Sequence, residues 1–129
     1  MRLAWLWKRR LWMLGGFAFV AWVVYLSLTP DPWRAPTVDN FKSGHIIAYL
    51  WLMLWFAQLW VQVSRRLVVA VLLCLLGVAL EYAQALTEYR TFAYSDMVDN
   101  AIGVAMGFLL SFTPLGRIGA VLERRRRAR

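Results

Sequence analysis

Charged residues fall so unevenly along this chain that the apolar stretches between them set its architecture. Leu11–Leu28 and Ile46–Val63 each run 18 residues without a Lys, Arg, Asp or Glu. At the helical rise, that is about the length that crosses a hydrocarbon core of roughly 30 Å. Leu67–Leu80 is uncharged for 14 residues, and carried through Glu81 to Leu86 it reaches 20 with a single acid. Asn100–Gly116 adds a fourth uncharged run of 17. The pattern predicts an all-α polytopic membrane protein, a four-transmembrane-helix bundle. Its spans are expected at about 11–28, 46–63, 67–86 and 98–115, in one domain, 1–129, that ends in a basic tail, 117–129. Lys8, Arg9 and Arg10 before the first run resemble the start of a signal sequence. The run is too long for an ordinary signal, and it ends in Ser27-Leu28-Thr29-Pro30 without a small-x-small site, so a retained anchor is expected.

Composition agrees. Hydrophobic residues make up 61% of the 129 and charged residues only 17%, which excludes a water-soluble enzyme or a free nucleic-acid binder. One cysteine, Cys74, lies in an apolar run, so neither a disulfide framework nor a cysteine-based metal cluster is expected. The formal charge of +8 divides by side. Twelve bases (Arg2, Lys8, Arg9, Arg10, Arg65, Arg66, Arg117, Arg124–Arg127 and Arg129) fall on the side of the termini and the Ser64-Arg65-Arg66 hairpin. Only Arg34, Lys42 and Arg90 fall on the other. By the positive-inside rule both termini are expected in the cytoplasm. Six of the seven acids (Asp31, Asp39, Glu81, Glu88, Asp96, Asp99) and all five tyrosines then lie toward the outer side. Trp5, Trp7 and Trp12 flank the inner end of the first span, as an interfacial belt would. The Arg-rich tail reads as a topological anchor that attracts anionic lipid, with no nucleic-acid role.

Candidate chemistry gathers at the outer ends. Lys42, His45 and Tyr49 are spaced to share one helical face, with Gly44 between them. Gly77, Glu81, Gln84 and Glu88 make a polar stripe on the third span. Asp96, Asn100, Gly103 and Gly107 make another on the fourth, where Gly103 and Gly107 form a small-xxx-small pair that permits close helix packing. Glu81, roughly 21 Å along a helix that starts near Leu67, needs a partner, for which Lys42, His45 and Arg90 are the candidates. In the inner half only Gln58 and Gln62, expected together on the second span, are polar. No complete proton or ion path is visible.

Taken in order, Lys42-x-x-His45-x-x-x-Tyr49, Glu81-x-x-Gln84, Arg90 and Asp96-x-x-x-Asn100-x-x-Gly103-x-x-x-Gly107 resemble the VanZ-like family of small bacterial membrane proteins. That family takes its name from an accessory protein of low-level teicoplanin resistance. The likeness covers roughly half the chain, from Lys42 to about Gly107. It departs at Phe41, where the family usually carries Asp before the Lys; Asp39 stands two residues further back. The resemblance implies an envelope protein of the inner membrane, acting on susceptibility to glycopeptide-type compounds. It supplies no reaction.

Three roles compete for Lys42, His45, Glu81, Gln84, Arg90, Asp96 and Asn100. In one they are a clasp that fixes helix register. In the second they hold a lipid or envelope-precursor headgroup. Lys42 and Arg90 would then contact a phosphate, His45 would donate or carry a proton, and the remaining groups would orient them. The partners expected are membrane lipids, anionic or precursor-linked, and a membrane-protein partner or a second copy. An undecaprenyl-phosphate-linked precursor follows from the family name alone. In the third role His45 is a general base of a membrane enzyme. The chain has no nucleophile elbow or phosphate loop, so binding is favoured over catalysis. No cofactor is expected. Asp96, Asp99 and Asn100 read better as a helix start than as metal ligands.

Overall fold

A computed structural model of the chain describes residues 2–30, 39–89 and 92–128, and the side chains of 2–6, 39–43, 123, 126 and 127 lie outside that description. Among the described residues the elements are α1 (Arg2–Leu28), α2 (Asp39–Ala57), α3 (Val63–Ala85), α4 (Tyr94–Leu110), a 3-10 turn (Pro114–Arg117) and α5 (Ile118–Arg127). Two stretches, Trp7–Leu28 and Val63–Ala85, are long and apolar enough to cross a membrane. A third exists if α4 and Pro114–Leu122 form one span through a 75° bend. The apolar part of α2, Gly44–Ala57, is shorter. The chain is thus all-helical with two to three candidate membrane spans.

Contacts across helices give their directions. His45 meets Asn100 and Gln58 meets Leu115, so α2 and α4 run parallel. Arg66 meets Ser111 and Glu81 meets Ala93, so α3 runs against α4. Trp12 meets Trp55 and Ser27 meets Gln84, so α1 runs against α2 and alongside α3. The helices α1 to α4 therefore alternate in direction. One end is basic, around Lys8, Arg65 and Arg117; the other is the polar end, around His45, Glu81 and Asn100.

The core is built on α2, whose Tyr49, Leu52, Met53 and Phe56 are buried with Leu73 of α3 and Val104 of α4. Its closest neighbour is α4, for a steric reason. A Cβ at Gly103 would collide with the carbonyl of Ile46, and one at Gly107 would lie 2.7 Å from Met53 Cβ. The small-xxx-small pair thus lets two backbones meet, as its spacing predicts. Outside the core, Leu14, Leu72, Leu75 and Leu109 are exposed. Exposed apolar side chains on this scale suit a hydrocarbon surround better than water.

Several expectations are corrected here. The helix of the second expected span stops at Ala57, so residues 58–62 form a connection and Gln62 precedes α3. Gln58 and Gln62 therefore share no helix. Gln58 instead donates to the carbonyls of Leu54 (3.2 Å) and Leu115 (2.6 Å) and accepts from Ile118 N–H (3.0 Å). On the fourth span α4 starts earlier, at Tyr94, and stops at Leu110, before Pro114 opens the 3-10 turn. Proline lacks the N–H that would continue the helix, and the chain turns there.

Arg66 is not a solvated anchor: it is 1% exposed. Its Nε donates to Trp60 O (2.8 Å), Nη1 to Ser111 O (2.7 Å) and Nη2 to Gly116 O (3.5 Å), while Phe112 covers the guanidinium at 5.6 Å. These carbonyls belong to the α2–α3 connection, the end of α4 and the 3-10 turn, where helical partners run out. Trp12 is likewise more than a belt residue. Its indole stacks on Trp55 at 4.1 Å, and each ring N–H donates to the other residue's carbonyl, at 2.8 and 2.9 Å.

Candidate functional site

At the polar end, α2 presents His45 and Tyr49, four residues apart and so on one face. His45 is half-buried, and both its ring nitrogens face oxygen. Nδ1 lies 3.0 Å from Asn100 Oδ1 and Nε2 lies 3.9 Å from Asp96 Oδ2. Both partners come from the first turns of α4, where Asp96 also places negative charge at the positive end of the helix dipole. Asn100 is 4% exposed. Gly77 makes its room, because a Cβ there would lie 3.0 Å from Asn100 Nδ2. The two polar stripes thus meet where one lacks a side chain.

Glu81 and Gln84 do different work. Glu81, 2% exposed, accepts the backbone N–H of Ala93 at 2.6 Å. Ala93 is the residue before α4, so this carboxylate closes the helix start. Two of the sequence-based candidates, the Lys42 side chain and Arg90, lie outside the described residues; among those described the partner is backbone, since helix N-termini carry open N–H groups and a positive dipole end, which stabilise a buried carboxylate. Gln84, 3% exposed, donates to Ser27 O at the end of α1 (2.9 Å). Tyr89 O–H reaches Leu28 O beside it. Glu88 lies past the end of α3 and is exposed.

The expected cluster therefore divides. His45, Asp96 and Asn100 come together. Glu81 and Gln84, on the same polar end, hold backbone. The Lys42 side chain, the whole of Arg90 and the Asp39 and Phe41 side chains lie outside the described residues. Gly103 and Gly107 pack α4 on α2, as described above.

Two polar atoms in the region are left over. The Tyr49 hydroxyl, on a residue 2% exposed, and Asp99 Oδ2 are buried without a hydrogen-bond partner among the described residues. An unpaired buried hydroxyl costs about 1–3 kcal/mol, so it marks a place for a water or a ligand atom. Sequence reasoning set Tyr49 in the right stripe without seeing this. It counted Arg66 as an exposed base of the hairpin and did not foresee its burial against Ser111.

Among the described residues, no group of three or more His, Cys, Asp or Glu is placed to hold a metal ion. A groove of about 360 Å³ between α3 and α4, with Cys74 in its wall, is apolar and takes no part in the polar cluster. Compared with known proteins, the chain matches no family model, no curated protein and no solved structure.

Proposed function

We propose that this chain is a multi-pass inner-membrane protein of the bacterial envelope, VanZ-like in its residue order, that binds a lipid or envelope-precursor headgroup at its polar end. It crosses the membrane four times with both termini in the cytoplasm, and it influences susceptibility to glycopeptide-type compounds. The observation that carries this reading is the convergence of His45, Asp96 and Asn100 one turn from the unpaired Tyr49 hydroxyl, at one end of an otherwise apolar bundle. An imidazole, an amide and a phenol offer the mixed donors and acceptors a phosphate-bearing headgroup needs. Intramembrane ionisable groups on this pattern mark function by default. Lys42 and Arg90 are the cations of the proposal, assigned by sequence position.

Native mass spectrometry of gently extracted protein tests it. The wild type retains an anionic lipid, and His45→Ala, Lys42→Ala and Arg90→Ala lose it. Tyr49→Phe, which removes only the orphan hydroxyl, weakens retention by about 5- to 30-fold without loss of stability. Full retention in folded His45→Ala and Tyr49→Phe proteins would sink the proposal. Glu81 and Gln84 favour a second reading for themselves, as a clasp, since each holds backbone.

A further inference from the structure

α5 is too short to be stable alone in water, where isolated helices need roughly 12–15 residues. Among the described elements it packs appreciably only on the 3-10 turn that precedes it. Its direction is nonetheless set. Gln58, just past α2, accepts the N–H of Ile118 and donates to Leu115 O. Arg66 holds Ser111 and Gly116, and a Cβ at Gly116 would collide with the Ser111 carbonyl. These contacts turn the chain by 75° from α4. If α4 stands across a bilayer, α5 lies nearly in the plane of its surface.

The helix is sorted along its length. Ile118, Val121 and Leu122 (43%, 38% and 57% exposed) share one face of the first turns at i, i+3 and i+4. Arg117, Arg124 and Arg125 are exposed around and beyond them. At the same end of the bundle Lys8, Arg10 and Arg65 are also exposed. Nucleic acid would meet the bases but leave the apolar face in water. A bilayer with anionic headgroups takes both, and the exposed Leu109 and Phe112 just before the turn continue the apolar surface to it.

We propose that α5 is a surface-lying anchor, angled by Gln58 and Arg66, whose apolar turns enter the interface while Arg117, Arg124 and Arg125 bind the phosphates of anionic lipids at the basic end. This is a lipid contact distinct from the polar-end site, at the opposite end of the molecule. It makes the orientation of the protein depend on lipid charge as well as on span number.

Amide hydrogen exchange of the full chain in nanodiscs tests it, with phosphatidylcholine alone against a 7:3 mixture with phosphatidylglycerol. Residues 119–127 exchange more slowly in the anionic discs, and Arg124→Gln/Arg125→Gln lowers that preference about 10- to 30-fold. Leu122→Ser speeds exchange of α5 in both discs, while α3 amides, read in the same spectra, stay unchanged in every variant. Equal wild-type exchange in the two discs overturns the proposal. So does an undiminished anionic effect in the double arginine variant, or no response to Leu122→Ser. His45→Ala leaves the α5 response intact, so a failure here and a failure of the polar-end site are read separately.

Discussion

Arg66 illustrates what one side chain decides in an apolar bundle. Its planar fork serves three carbonyls from two connections, which no other residue type can do at once. Replacing it with Ala leaves those carbonyls buried without donors, and destabilisation by about 3 kcal/mol is expected. Arg66→Lys keeps the charge but not the fork and falls between. Thermal unfolding in detergent, followed by tryptophan fluorescence, ranks the three; equal midpoints for Arg66→Ala and wild type would remove the guanidinium from this role. Next to it in sequence, Arg65 is exposed. No local pattern tells the two apart, because burial depends on which residue of the turn faces the end of α4.

At the scale of elements, two glycines on neighbouring helices predict opposite outcomes. Gly103→Ala drives a methyl into the Ile46 backbone, which cannot move like a side chain tip, so α2 and α4 must separate. Overpacking of this kind costs about 1–3 kcal/mol. Gly44 is exposed within α2, and a Cβ there meets nothing within 4 Å. Gly44→Ala should therefore stabilise by up to about 1 kcal/mol through helix propensity. Unfolding midpoints of both variants check the pair, and a stabilised Gly103→Ala would mean the helices are not in backbone contact. The packing of Gly103 and Gly107 was legible from their spacing. That their partner is α2, parallel and separated by more than a helix in sequence, was not, since spacing names a face and not its neighbour.

For the whole molecule, α1 is held to the bundle at two points far apart. Near the basic end the Trp12–Trp55 pair joins it to α2, and near the polar end Gln84 and Tyr89 hold the carbonyls of Ser27 and Leu28. Trp12→Ala removes the stack and one of the two indole donors. A loss of about 3 kcal/mol is expected, as for large aromatic truncations, with the loosening centred at one end of α1. Hydrogen exchange resolves this: amides near residue 12 should exchange faster while those near Ser27 keep their protection. Uniform acceleration along α1 would show that the two attachments do not act separately.

The alternation of apolar runs and charged breaks determined by itself that this chain is helical and apolar enough for a membrane. It also set Asn100, Gly103 and Gly107 on a buried face, because hydropathy and the 3.6-residue period act locally. The sorting of bases and acids toward opposite ends was equally local. Tertiary structure alone decided what the buried polar groups do. Glu81 reads as a charge in need of a counter-charge and Arg66 as a cytoplasmic anchor, yet each meets backbone at a helix end, Glu81 at the start of α4 and Arg66 at its finish. Backbone donors and acceptors are the same at every residue, so no sequence marks them. They become specific only where a helix stops beside another that brings the matching side chain.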